Sequence, residues 1–235
     1  MCTKNSHIKK LLIASAIVLT CIVVGRFIWS ATAVLHENTA NKHWQNKRYL
    51  SRKNNLQNIS GVDSCVRLLQ TGDLLVRRGD DMTSYMLSQL NMKDKTYSHC
   101  GIVVIENGYP YVYHSIGGED NPDEILRRDS AHTWCSPANN HAFAAYRYNM
   151  ADSMKERLAS VVQGYYSEGR MFDMAFDIST DDRLYCSEMI YKALKKATGV
   201  DDYIQLSNNY GRSFVGVDDL YLMNHTEPVC RIRFK

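Results

Sequence analysis

The stretch Asp181-Asp182-Arg183-Leu184-Tyr185-Cys186-Ser187-Glu188-Met189-Ile190-Tyr191-Lys192 decides how the chain reads. Met189, Ile190, Ala193, Leu194 and Ala197 follow Cys186 at helical spacing and share one apolar face, with Lys192, Lys195 and Lys196 on the other side. Gly199 ends the run as a C-terminal glycine does. Acids precede the cysteine and lysines close the segment, so both ends suit the helix dipole. The pattern predicts a helix with Cys186 in its first turn, where partial positive charge favours the thiolate, the nucleophilic form. The competing reading is a small apolar core cysteine, the commoner fate of a lone thiol. This segment alone leaves the two readings even.

A second segment tips the balance. Tyr97-Ser98-His99-Cys100-Gly101-Ile102-Val103-Val104-Ile105 reads as a strand with a histidine near its start. Asn107-Gly108 is a hairpin turn signal, and Tyr109 to Ile116 reads as the returning strand, carrying His114. A nucleophilic cysteine needs a base, and the base needs a group to orient it. Cys186, His99 and His114 supply the three roles. Each histidine taken singly is better read as a surface or hydrogen-bonded core residue; two on adjacent strands upstream of the cysteine helix favour the catalytic reading.

Three motifs in order, Gly72-Asp73-Leu74-Leu75-Val76, Tyr97 to Val103, and Tyr185-Cys186-Ser187-Glu188, with Gly169-Arg170-Met171-Phe172-Asp173 before the last, resemble the permuted papain-like amidases of the YaeF/YiiX type. These are circularly permuted relatives of the NlpC-type cysteine peptidases. The resemblance covers roughly residues 70 to 225. It implies an α+β, permuted papain-like (NlpC-like) fold, an antiparallel sheet packed against the catalytic cysteine helix. It makes Cys186 the nucleophile and His99 the general base. His114 stands where many relatives carry a glutamate, as the orienting group. The implied chemistry is acyl transfer to water: Cys186 attacks an amide or ester carbonyl and His99 protonates the leaving group. The backbone N–H of Cys186 is the expected oxyanion donor, with Tyr185 a candidate by adjacency. A thiolate–imidazolium pair is the expected resting form of Cys186 and His99.

Composition bounds the rest. The chain has 235 residues, 45% hydrophobic and 23% charged, which suits one globular domain after an N-terminal segment. A net charge of +3 is too mild to point to nucleic acid. No phosphate-cradling glycine loop and no metal-ligand cysteine spacing occurs, so neither a cofactor nor a metal is expected. Lys4, Lys9 and Lys10 precede an apolar run from Leu11, and Ala31-Thr32-Ala33 offers a cleavage site. Residues 1–35 therefore read as an export signal, or as an uncleaved membrane anchor over 11–35. Either places the domain in the cell envelope on the outer side. Residues 36–60 read as a polar linker and 61–235 as the hydrolase domain.

Export permits disulfides, and Cys65, Cys135 and Cys230 are candidate partners without an assignable pairing. Strand alternation sends Cys100 to the face opposite His99, as a core residue. Cys135 is a weaker rival nucleophile. Helices are expected at Val62–Gln70, Asp81–Leu90, Asp152–Ser167 and Val217–Met223, and strands at Asp73–Arg78, His141–Tyr148 and Val229–Phe234. Met82, Tyr85, Met86 and Leu90 form a stripe expected to pack on the sheet. Asp73 reads as a turn-stabilising residue. Asp173 and Glu188 are candidates to hold a substrate amine, with turn capping and helix capping as equal alternatives. His132, His141 and His225 read as surface residues.

The leading expectation is an exported cysteine hydrolase acting on a cell-wall peptide, a small peptide or an acyl amide. An acyltransferase would use the same residues. A binding module that keeps the fold without turnover would leave Cys186 unreactive, and a membrane-tethered scaffold would keep its function in Cys186→Ala.

Overall fold

The structure is a computed structural model that describes Val24, residues 49–118, Asn121, residues 123–209 and residues 211–235. The chain divides into two compact units, 1–50 and 51–235, and the second carries the sheet and the helices packed on it. The expected export segment lies outside the described residues except for Val24. No helix among the described residues is long and apolar enough to cross a membrane.

From Asn54 onward the described residues form eight strands and five α-helices, numbered in chain order. Helix α1 (Leu56–Val66) leads to β1 (Leu74–Gly79) and the short α2 (Met82–Ser88). The hairpin β2 (His99–Glu106) and β3 (Tyr109–His114) comes next, then β4 (Arg127–Ser130), α3 (Ala131–Trp134), β5 (Asn140–Tyr148) and α4 (Asp152–Ser167). Helix α5 (Cys186–Thr198), the small hairpin β6 (Ser207–Asn209) and β7 (Arg212–Phe214), a 3-10 turn at Asp218–Leu220 and β8 (Thr226–Arg233) complete the unit. Six strands form one sheet in the order β4-β3-β2-β1-β5-β8, antiparallel throughout. The fold is thus α+β, with a mixed helix and antiparallel-sheet architecture.

Alternation along each strand feeds two cores. Leu74, Val76, Cys100, Ile102, Ala144 and Tyr146 meet α4 and α5 on one face. Leu75, Val103, Val112, Phe143 and Ala145 meet α1, Trp134 and Phe234 on the other. The apolar face expected on α5 is the buried one: Met189, Ile190, Ala193, Leu194 and Ala197 are all fully buried. Gly199 closes that helix in the left-handed region at φ 73°.

Several expectations change. The folded unit begins near Ser51, not at 61. The polar residues read as linker serve the fold: Asn55 caps α1 by accepting from Gln57 N–H at 2.9 Å and Asn58 N–H at 3.4 Å, and Arg52 is buried against the carbonyl of Asn140 at 3.1 Å. The stripe Met82, Tyr85, Met86 and Leu90 is exposed, 53–70% accessible, and so does not pack on the sheet as expected. Helix α2 is seated instead by the Asp81 cap on Ser84 N–H and the buried Ser88. Cys65 and Cys230 form a disulfide, Cα–Cα 5.9 Å, that ties α1 to β8. Cys135 is left free and buried.

Candidate active site

Three neighbouring strands build the site by register alone. Ile102 faces Tyr113 and His114 faces Arg127 across their ladders, which puts His99 diagonal to His114 and His114 diagonal to Asp129 on one face. His99 Nε2 lies 2.9 Å from His114 Nδ1, and His114 Nε2 lies 3.0 Å from Asp129 Oδ2. Gly101 makes the close approach possible. A Cβ there would stand 2.4 Å from Val112 Cγ1 and 3.1 Å from His114 Cβ, so any side chain would push β3 and its histidine away. Trp134 flanks both rings, with centroids 5.9 Å from His99 and 6.2 Å from His114. It is held under Arg77, whose guanidinium sits 4.6 Å from the indole centroid.

Cys186 enters from the helical layer, and its turn is pinned from several directions. Ser115 Oγ, next to His114 in sequence, donates to the carbonyl of Leu184 at 2.5 Å. Ser187 Oγ donates to the carbonyl of Val215 at 2.7 Å. Tyr185 N–H donates to Glu188 Oε2 at 3.0 Å. These bonds fix the backbone on both sides of the nucleophile before any ligand arrives, which is what a catalytic centre needs.

The electrostatics separate the cysteines. The Cys186 thiol is made more acidic than an ordinary cysteine, first by a hydrogen bond with Cys100, then, against its burial, by His99 and the Ser187 N–H. Burial and the same contact push the Cys100 thiol up, so Cys186 is the member of the pair that ionises. Burial also raises Cys135, which disfavours it as a nucleophile. Burial outweighs the neighbouring Cys186 and holds His99 down to about 4. Burial likewise lowers His114, against the pull of Asp129. Asp129 itself is held below the usual carboxylate range, chiefly by its hydrogen bond with His114.

These directions fix the tautomers. An ionised carboxylate only accepts, so His114 donates from Nε2 to Asp129 and presents Nδ1 as an acceptor. His99 then donates from Nε2 to His114, leaving the lone pair of Nδ1 for the thiol proton. At rest the favoured form of His99 is a neutral imidazole, in contrast to the imidazolium expected from sequence.

Of the expected site residues, Cys186, His99 and His114 are brought together. Tyr185 is not placed as an oxyanion donor: its hydroxyl is buried and accepts from Val215 N–H at 2.9 Å. Asp173 and Glu188 are not placed as amine-binding groups, because the protein itself uses both. Asp173 accepts from Ala175 N–H at 2.8 Å and Asp177 N–H at 2.6 Å. Glu188, fully buried, also pairs with Lys192 at 2.9 Å, and burial raises it to about 7. Asp73 accepts from Gln70 N–H at 2.8 Å, the turn role expected, and also takes a two-pronged bond from Arg147, 2.8 Å on each side. Asp129 and the Cys100 contact are new. Asp129 lies in Arg127-Arg128-Asp129-Ser130, where the sequence pattern assigns no element, and its one sequence signal is a 15-residue spacing from His114 equal to that between the two histidines.

Comparison with known proteins gives the family and the fold. Residues 68–209 match the family of permuted papain-like amidase enzymes of the YaeF/YiiX type. The uncharacterized protein YiiX of Escherichia coli is 27% identical over 133 residues, 56% of this chain and 60% of that protein. The match thus spans less than two thirds of the relative's length. The crystal structure of the metalloprotein yiiX, also from Escherichia coli, superposes with a TM-score of 0.56 at 21% identity, over 70% of this chain and 98% of that one. That likeness concerns the fold.

Proposed function

This chain belongs to the permuted papain-like amidase family, and from that premise we propose that it is a cysteine hydrolase of amide bonds in which Cys186 is the nucleophile, His99 the base, and His114 and Asp129 the groups that orient the base. The observation that carries the reading is the line Asp129–His114–His99 ending at an acidified thiol. His99 Nδ1 takes the Cys186 proton as sulfur attacks the carbonyl carbon. The Cys186 N–H, in the first turn of α5, faces the developing oxyanion. The His99 imidazolium so formed is stabilised through His114 by Asp129, and it gives the proton to the leaving amine as the acyl-enzyme forms. Water then attacks the thioester with His99 again as base, releasing the acid and restoring the thiol.

The structural neighbour is described as a metalloprotein. In this chain no group of three or more His, Cys, Asp or Glu side chains is arranged to hold a metal among the described residues. Both nitrogens of His114 are already engaged. The described residues do not fit a metal centre.

The Cys65–Cys230 disulfide supports an oxidising compartment, in keeping with export to the cell envelope by residues 1–35. The substrate proposed is a peptide or acyl amide. The test is to mix the full chain with cell-wall peptides, short peptides and N-acyl amides and follow intact mass. An acyl adduct on Cys186 that turns over, and is missing in Cys186→Ala, supports the reading. Turnover persisting in Cys186→Ala would refute it.

A further inference from the structure

A pocket of about 270 Å3 opens at the end of the sheet where β2 begins, and its wall is basic. Arg78 enters it from β1, Lys95 from the segment before β2, His141 and Ala142 from β5, and Arg231 and Arg233 from β8. The register explains the cavity. Arg78 faces Ala142, Ala142 faces Arg233, and Ala144 faces Arg231. Directly opposed residues share a face, so the small Ala142 forms a low floor between Arg78 and Arg233 of the flanking strands.

The cations here are poorly compensated. Among the described residues, Arg78, Lys95, Arg231 and Arg233 have no ion pair with a carboxylate. Asp80 is taken by Arg52 and stands 3.9 Å from His141 Nδ1. Asp94 faces Arg231 without pairing. Arg231 lies against the Tyr146 ring, 5.3 Å from its centroid. Arg233 donates from Nε and Nη2 to His141 Nε2, both at 3.2 Å, an arrangement that requires a neutral imidazole. Burial and then the nearby Arg78 and Arg233 disfavour its protonation.

We propose that this pocket binds a phosphate monoester. Guanidinium forks suit the oxygens of phosphate in pairs, and a dianion answers four clustered cations where one carboxylate would leave most of the charge unmet. The site does not depend on the chemistry assigned to Cys186. Its tie to that centre is along the chain: Tyr97 lines the pocket two residues before His99, and Arg78 follows the Arg77 that faces His99 across the ladder. The phosphate can be carried by a soluble ester or by a phosphorylated lipid headgroup.

The test is calorimetric titration of the full chain with inorganic phosphate, and separately with phosphatidic acid in neutral mixed micelles, at low and high salt. Saturable binding that weakens with salt is expected. Arg78→Gln, Arg233→Gln and the exposed Lys95→Gln should each weaken it, the arginine changes by about tenfold or more. Lys195→Gln, on α5, should leave it unchanged. Binding of inorganic phosphate supports a soluble ester, and binding of the micelles alone supports a headgroup. No saturable binding of either, or equal affinity in the three pocket variants that retain their thermal unfolding, would overturn the proposal.

Discussion

His99 Nε2 and His114 Nδ1 stand 2.9 Å apart, on adjacent strands and diagonal in the ladder. Because Asp129 accepts from the far nitrogen of His114, the carboxylate determines which way both rings carry their protons. Asp129→Asn keeps the size but can donate where only acceptance is wanted, so His114 is free to turn its tautomer and His99 loses its acceptor. We expect the rate of Cys186 alkylation at neutral pH to fall by about tenfold or more. His114→Ala should cost a similar factor, and the double variant little more, because the two act as one unit. Alkylation kinetics of the three variants check this.

Gly101 clears the space in which β3 brings His114 to His99. Gly101→Ala should overpack that contact and destabilise the protein by about 1–3 kcal/mol. It should also slow Cys186 alkylation, while Gly164→Ala, where an added Cβ meets nothing, should slow it little. Urea unfolding and alkylation rates on the two variants separate the effects.

Much of this site is legible in the sequence, for identifiable reasons. The cysteine helix announces itself through an apolar stripe at period 3.6 and a terminal glycine, and the histidine hairpin through alternation around Asn107-Gly108. Asp129 escapes because β4 is a four-residue edge strand written in charged residues, as edge strands often are. The exposed stripe on α2 misleads because periodicity identifies an amphipathic helix without saying which partner covers its apolar face. Asp173 and Glu188 illustrate a further limit: an acid beside a nucleophile is equally well used to satisfy backbone N–H groups, and only the coordinates distinguish the two.

The half-buried His99 has consequences for stability. Its folded value of about 4 lies below the ordinary 6.5. Between those values the unfolded chain binds the proton and the folded chain does not, so this contribution is full above pH 6.5 and is lost as pH falls toward 4. The loss approaches about 3 kcal/mol at the acid end of the window. His114 works in the same direction. Glu188, raised to about 7 from 4.5, works in the opposite one, weakening the fold as pH rises through that range. Urea unfolding of the native chain and His99→Gln across this window isolates the term: the variant should show a shallower acid decline, and identical pH profiles would contradict the assignment.

The Cys65–Cys230 bridge joins residues 165 apart. Closing so long a loop restricts the unfolded chain strongly, so Cys65→Ser should cost about 3–5 kcal/mol. Reduction should do the same to the native chain and nothing further to the variant. Thermal unfolding with and without reductant checks both expectations.

The most direct test of the account is the pH dependence of iodoacetamide labelling on the full chain, with the labelled residue identified by mass spectrometry. The account predicts fast labelling at pH 6, confined to Cys186 and sharply reduced in His99→Ala, with Cys100 and Cys135 silent. Slow labelling of Cys186 that rises only near pH 8.5, about the value for an ordinary cysteine, would contradict an activated nucleophile and leave a binding module with the fold of a hydrolase.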